Sequence, residues 1–250
     1  MPAKATPLQN IIRRLETVSG RPKPPITTDP FELILWENVA YLANDDERAR
    51  AFSALRERIG TKPGCISAAS GEELLAVTRQ GRGFASQCAE KLRRADQIAL
   101  RLFKGNLKKS LQLPYLQARK AFQEFPGIGE PGAEKILLFS SAQPVFALES
   151  NGLRVLRRLG FGGERKIYIA TYRAVQAAVI NQIVPKCGWL IRAHQLLRQH
   201  GQEVCKTNRP RCEACCLNSD CRFYQSQGTS RERPSGSRTG VSTLRSTSAE

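Results

Sequence analysis

The sequence predicts an all-α fold on three observations: strand-like alternation is scarce, helix start and stop signals recur, and the loops between apolar segments are short. The first 25 residues fit one short helix and the linker SGRPKPPITTDP. PFELILWENVAYLA, residues 30–43, opens on Pro30, which suits a first helical turn. In NDDERARAFSALRERIG, Asn44 can cap, Glu47 completes a capping box and Gly60 stops the helix. SGEELLAVTRQG repeats the device with Ser70, Glu73 and Gly81. CAEKLRRADQIALRLF sets Leu92, Ala95, Ala99 and Leu102 on one face. Further helices fit 114–125, 132–140, 152–159, 170–183 and 188–200. Residues 225–250 are rich in Ser, Arg, Thr and Gly with little to bury, and are expected to form a disordered tail.

Composition narrows the class. The 250 residues carry 39 Lys and Arg against 22 Asp and Glu, a net charge of +17. Such an excess attracts polyanions, nucleic acid first among them, and the arginines of the tail would add weak affinity. No apolar run reaches the roughly 18 residues of a membrane helix, and MPAKATPLQNIIRRLETV has no signal-peptide core. The expected setting is a reducing cytosol, where clustered cysteines hold metal more often than they pair.

Five of the eight cysteines fall within CKTNRPRCEACCLNSDC, residues 205–221. Cys205, Cys212, Cys215 and Cys221 are separated by six, two and five residues. Thiolates ligate iron–sulfur clusters and structural zinc, and either would knot this loop. Cys216 stands outside the spacing, and Cys65, Cys88 and Cys187 are bystanders. Lys206, Arg209 and Arg211, held on such a loop, could reach phosphates.

FPGIGEPGAEKILLF, residues 125–139, offers a second pattern. Gly127 and Gly129 allow a tight turn, and backbone N–H groups around Ile128 and at the next helix N-terminus can cradle a phosphate. On a helical wheel, residues 31–43 are apolar nearly all round, with Glu37 between Leu33 and Tyr41. A buried carboxylate is either paired, here to Arg48 or Arg50, or functional. Burial would raise its pKa and favour the protonated acid. His194 and His200 flank a helix entering the cysteine loop and read as structural or phosphate-facing.

The C-x6-C-x2-C-x5-C loop together with the Gly127-Ile128-Gly129 hairpin resembles the endonuclease III family of helix-hairpin-helix DNA glycosylases, over roughly residues 25–224. The resemblance implies a two-lobed helical fold and a [4Fe–4S] cluster on Cys205, Cys212, Cys215 and Cys221. It divides the chain into an N-terminal helix and linker (1–27) packing on the cluster lobe, a six-helix lobe (28–138), the cluster lobe (139–224) and the tail (225–250). The partner it implies is double-stranded DNA carrying a lesion or mismatch, bound by a monomer in the cytoplasm, with no membrane.

The same resemblance implies site residues. Glu149, in LESNGLRVLRRLGF, stands where the family carries a catalytic aspartate, with Ser150 or Asn151 capping the next helix. Bifunctional members carry a Schiff-base lysine where this chain has Pro131, which closes that route at this position. Lys135, about 6 Å further along the helix, reads as a surface or phosphate-facing lysine. The family's adenine glycosylases also lack that lysine, place a base-protonating glutamate where Glu37 stands, and carry an asparagine like Asn151. The implied activity is hydrolytic release of a base, purine favoured, with catalysis by Glu149 and Glu37 and a pocket including Asn38, Tyr41 and Asn151; the alternatives are a bifunctional glycosylase/AP lyase and a non-catalytic module that binds damaged DNA. The family's strand-wedging glutamine is replaced near Leu42.

Overall fold

The computed structural model describes residues 7–231, and among the described residues there is no β-strand. Twelve α-helices follow one another: α1 Leu8–Ser19, α2 Pro30–Asn38, α3 Asp45–Arg58, α4 Cys65–Ala68, α5 Gly71–Thr78, α6 Ala85–Phe103, α7 Tyr115–Gln123, α8 Glu130–Phe139, α9 Ser150–Leu159, α10 Tyr168–Val179, α11 Cys187–Glu203 and α12 Arg222–Arg231. The all-α expectation holds. Both capping boxes form: Asn44 Oδ1 accepts from Glu47 N while Glu47 Oε2 accepts from Asn44 N, and Ser70 with Glu73 does the same. Each pair satisfies two helix-end donors that packing would otherwise strand.

The helices sort into two groups. α2, α3, α5 and α6 pack around Ile34, Leu35, Phe52, Leu55, Leu74 and Leu92, and α7 and α8 close that group as a hairpin. α9, α10, α11 and α12 form the second group, and α1 joins it by packing on α11, with Leu8 N donating to Gln182 Oε1 at 2.9 Å. α8 touches α2 on one side and α11 on the other, so the hairpin lies between the groups.

Three expectations fail locally. The helix from Pro30 ends at Asn38, so Tyr41 and Leu42 leave it and are exposed. Leu42 adopts φ +53, a conformation that disfavours a branched side chain and marks a sharp change of direction. Leu102 is half exposed, because the buried stripe of α6 runs through Leu92, Ala95 and Ala99 and turns away from it. The segment from 225 begins inside α12, and the rest of that expectation lies outside the described residues.

Candidate active site

Charged side chains from four elements gather where the two groups meet. Glu37 projects from α2 and Lys135 from α8, and Lys135 Nζ donates to Glu37 Oε1 at 2.6 Å. Lys135 is therefore neither a surface nor a phosphate-facing lysine. The partner of Glu37 is this residue and not Arg48 or Arg50; Arg48 instead donates to Trp36 O at 3.2 Å. Burial works to raise the Glu37 carboxyl, but the adjoining ammonium, its hydrogen bond, and the charge of Arg48 overrule it and hold the group below the usual carboxylate range. The expected protonated acid is thus an ionised one.

α11 supplies the other wall. Arg198 Nη1 donates to Asp45 Oδ2 at 2.7 Å, and its Nη2 to Asp45 Oδ1, a bidentate bridge from α11 to the start of α3. The field of Arg198 also reaches Glu149 and Glu37. His194 is buried, with Nδ1 2.9 Å from Ala147 O, and burial pushes its imidazole down to about 4, aided by Lys135. It is structural, as expected.

Glu149 is itself the N-cap of α9. Its backbone is extended, Oε1 accepts from Gly152 N at 2.7 Å and Oε2 accepts from Asn151 Nδ2 at 2.8 Å. Ser150 and Asn151 do not cap; both already lie in the helix. A carboxylate at a helix N-terminus is held by the first-turn amides and the helix dipole. Asn151 turns its Oδ1 to Arg154 Nη2 at 2.7 Å, and Arg154 reaches on to Gly201 O at 2.8 Å and Cys205 O at 2.9 Å. A Cβ at position 201 would stand 2.7 Å from Asn151 O, so the close approach of α9 and α11 requires the glycine.

Beneath this relay lies the cysteine loop. Cys205, Cys212, Cys215 and Cys221 line one small cavity, joined by Arg158, Pro210 and Phe223. Cys216 is not among its walls; its carbonyl accepts from Arg14 Nη2 of α1. Among the described residues no cysteine is in a disulfide, and no three His, Cys, Asp or Glu side chains converge closely enough to share a single ion. Arg158 Nη1 lies 3.3 Å from Cys205 Sγ and donates to Lys206 O at 2.7 Å, while Nη2 donates to Thr207 O at 3.1 Å. His200 Nε2 stands 3.4 Å from Cys215 Sγ. Lys206, Arg209 and Arg211 are exposed, and Arg211 also lines the cavity.

In the α7–α8 hairpin, Gly127 takes φ +72, a left-handed turn that other residues resist, and Asn38 Oδ1 would stand 3.0 Å from a Cβ there. Gly127 and Gly129 are exposed, while the Ile128 side chain is buried beneath the turn, leaving only its backbone for a ligand. Asn38 is buried, its Nδ2 donating to Ile34 O at 2.9 Å. Tyr41 is not brought to Glu37; it sits on the surface against Phe84, ring centroids 5.3 Å apart, under the Lys91 ammonium.

Sequence reasoning missed several groups. Glu134 on α8, 1% exposed, accepts from Tyr115, Tyr172 and Gln176. Glu130 takes Arg173 bidentately, with Arg119 at 3.3 Å. An acid inside the apolar run of α8 was the available signal for Glu134, the same one that drew notice to Glu37. Arg154, Arg198 and Asp45 gave none, because charged residues in helices ordinarily face water.

Comparison with known proteins follows the fold. No protein-family model matches the chain. The chain is similar to endonuclease III of Thermotoga maritima, 24% identical over 213 residues that cover 85% of this chain and 92% of that protein. It is similar to the thymine/uracil-DNA glycosylase of Pyrobaculum aerophilum, 28% identical over 165 residues covering 65% and 67%. Its fold matches that of endonuclease III in a non-covalent complex with DNA, TM-score 0.70 at 20% identity, covering 89% of this chain and 97% of that one.

Proposed function

We propose that the chain is a member of the helix-hairpin-helix superfamily of DNA glycosylases, a reading supported by its similarity to endonuclease III, and that it removes a base from duplex DNA in base-excision repair, by hydrolysis. The carrying observation is the placement of Glu149. Its carboxylate is fixed by two hydrogen bonds at the head of α9, in the same field as Lys135, Glu37 and Arg198. Breaking a glycosidic bond builds positive charge on the sugar, and a fixed carboxylate stabilises that charge and takes a proton from attacking water. Pro131 offers no amine for a Schiff base.

The hairpin glycines and Lys206, Arg209 and Arg211 would grip the phosphate backbone, and extrusion of one nucleotide would bring a base to Glu37, Lys135 and Asn38. Leu42, exposed at 78% on its left-handed turn, would fill the gap left in the stack. The expected purine preference rested in part on a protonated Glu37, and the ion pair with Lys135 weighs against that part. Four thiols spread around one cavity suit a multi-atom [4Fe–4S] cluster better than a single ion. When bound, the cluster would stiffen the basic loop, and Arg158 would offset its negative charge.

One observation favours a second reading: the Lys135 amine lies in the site, which a lyase would need. Ion-paired, it has no lone pair to attack with. The deciding experiment assays iron and sulfide in purified protein, then measures base release from a panel of lesion and mismatch duplexes for the native chain and for Glu149→Gln. Release lost in the variant supports the reading; tight duplex binding without release from any duplex sinks it.

A further inference from the structure

Glu37 and Lys135 keep 28% and 17% of their side chains exposed while standing 2.6 Å apart. Among the described residues each has only the other as a hydrogen-bond partner, so one carboxylate oxygen and two ammonium protons remain open. The Phe139 ring lies 5.5 Å from the ammonium and packs edge-on against His194, giving the pair an apolar backing. The other charges facing it are Arg48 and Asp45 of α3 and Arg198 of α11, and Glu149 before α9 acts on His194 and Arg198 beside it. An acceptor and a donor thus sit side by side at a water-poor edge where both are strengthened.

We propose, resting on the glycosylase reading above, that the Glu37–Lys135 pair commits the site to bases bearing an oxo group beside a ring N–H, the class of uracil, thymine and hypoxanthine. Glu37 accepts the ring N–H and Lys135 donates to the oxo oxygen. Adenine can offer a donor beside an acceptor too, so recognition alone does not exclude it. The chemistry of departure does. Adenine leaves readily only once a ring nitrogen is protonated, and an ionised carboxylate has no proton to give. An oxo base leaves as an anion whose charge spreads onto its oxygen, and an ammonium already aimed at that oxygen binds the departing base more tightly than the intact nucleotide.

The C1′–N bond breaks, and its electron pair goes to the base and is shared with the oxygen held by Lys135. Water adds to C1′ and passes its proton to Glu149. The base anion takes a proton from solvent on release, and Glu149 returns one to solvent.

The test uses single-turnover release from duplexes carrying uracil, thymine opposite guanine, hypoxanthine, or adenine opposite guanine. The full chain, Lys135→Met and Glu37→Gln are compared, and duplex binding is measured in parallel. The oxo bases are released and adenine is not. The Lys135→Met variant binds duplex but releases uracil about 10²-fold more slowly, and Glu37→Gln, which keeps an acceptor oxygen, stays within about tenfold of the native rate. The native rate on uracil is flat between about pH 6 and 9, because no side chain must donate a proton. Adenine release that declines with rising pH and vanishes in Glu37→Gln overturns the inference, as does an unchanged uracil rate in Lys135→Met. On a fifth duplex carrying a cationic alkylated purine, release from that duplex alone overturns the inference while leaving the glycosylase reading standing. No release from any duplex overturns both.

Discussion

Arg154 on α9 donates its Nε to the backbone carbonyl of Cys205 at 2.9 Å, tying the helix capped by Glu149 to the first cysteine of the loop. The same guanidinium holds Asn151 and Gly201, and Asn151 holds Glu149. Replacing Arg154 with Met removes the donor to Asn151 Oδ1 and to Gly201 O, and leaves Cys205 O only the 3.4 Å contact with Arg158 Nη1. Each buried acceptor left without a donor costs about 1–3 kcal/mol, so the melting temperature falls. The loop also loses an anchor, and iron content per chain falls with base release. A variant that melts lower but keeps its iron and rate would show that the tie is only structural.

Glu149→Gln retains an oxygen that can accept from Gly152 N, so α9 keeps its cap while the charge is gone. Base release drops about 10²-fold or more with little change in melting. Glu149→Ala loses the cap as well and costs about a further 1 kcal/mol of stability. Comparing the two by single-turnover release and thermal melts separates charge from capping.

Acidification destabilises the fold through His194. Its folded pKa, about 4, lies below the ordinary value near 6.5. The unfolded chain therefore binds the proton more readily, and the stability conferred by the neutral ring is whole above about pH 6.5 and drains away as pH falls toward 4. His194→Asn, whose amide can still donate to Ala147 O, flattens the slope of stability against pH in that window. Urea midpoints across the window check this.

Borohydride added during reaction with abasic DNA traps no covalent adduct on the native chain, because Pro131 carries no amine and Lys135 is engaged by Glu37. Pro131→Lys gains a trapped adduct and strand cleavage. An adduct on the native chain that disappears in Lys135→Met would establish lyase chemistry instead.

Lys206, Arg209 and Arg211 are exposed on a loop pinned by Arg158. Substituting any one with Ala weakens duplex binding evenly across sequences and lowers the slope of log affinity against log salt by about 1. A loss confined to lesion-bearing DNA would place these residues at the base and not at the backbone.

What could be read from the sequence was what is local. Both capping boxes and the cysteine spacing act within a few residues of chain, so their geometry follows from composition. The pairing of Glu37 with Lys135 spans 98 residues and depends on how α2 and α8 meet, which no spacing encodes. Tyr41 was misjudged because the wheel assumed a helix that stops at Asn38. Glu149 was taken for a residue beside a cap when it is the cap, since serine and asparagine nearby have the stronger local preference. The fold class rests on many such local signals and survives a few failures; the site rests on a handful of long-range contacts and does not.

α8 is braced on different flanks: Glu130 and Glu134 lock it to α7 and α10, while Lys135 forms an ion pair with Glu37 of α2. On the proposed function, the hairpin turn at one end of this rod would hold the backbone while its α2 side would meet the base. Substitutions along α2 would then retune which damage is removed without loosening the hold on the double helix, and the scaffold would be a favourable starting point for evolving new excision specificities.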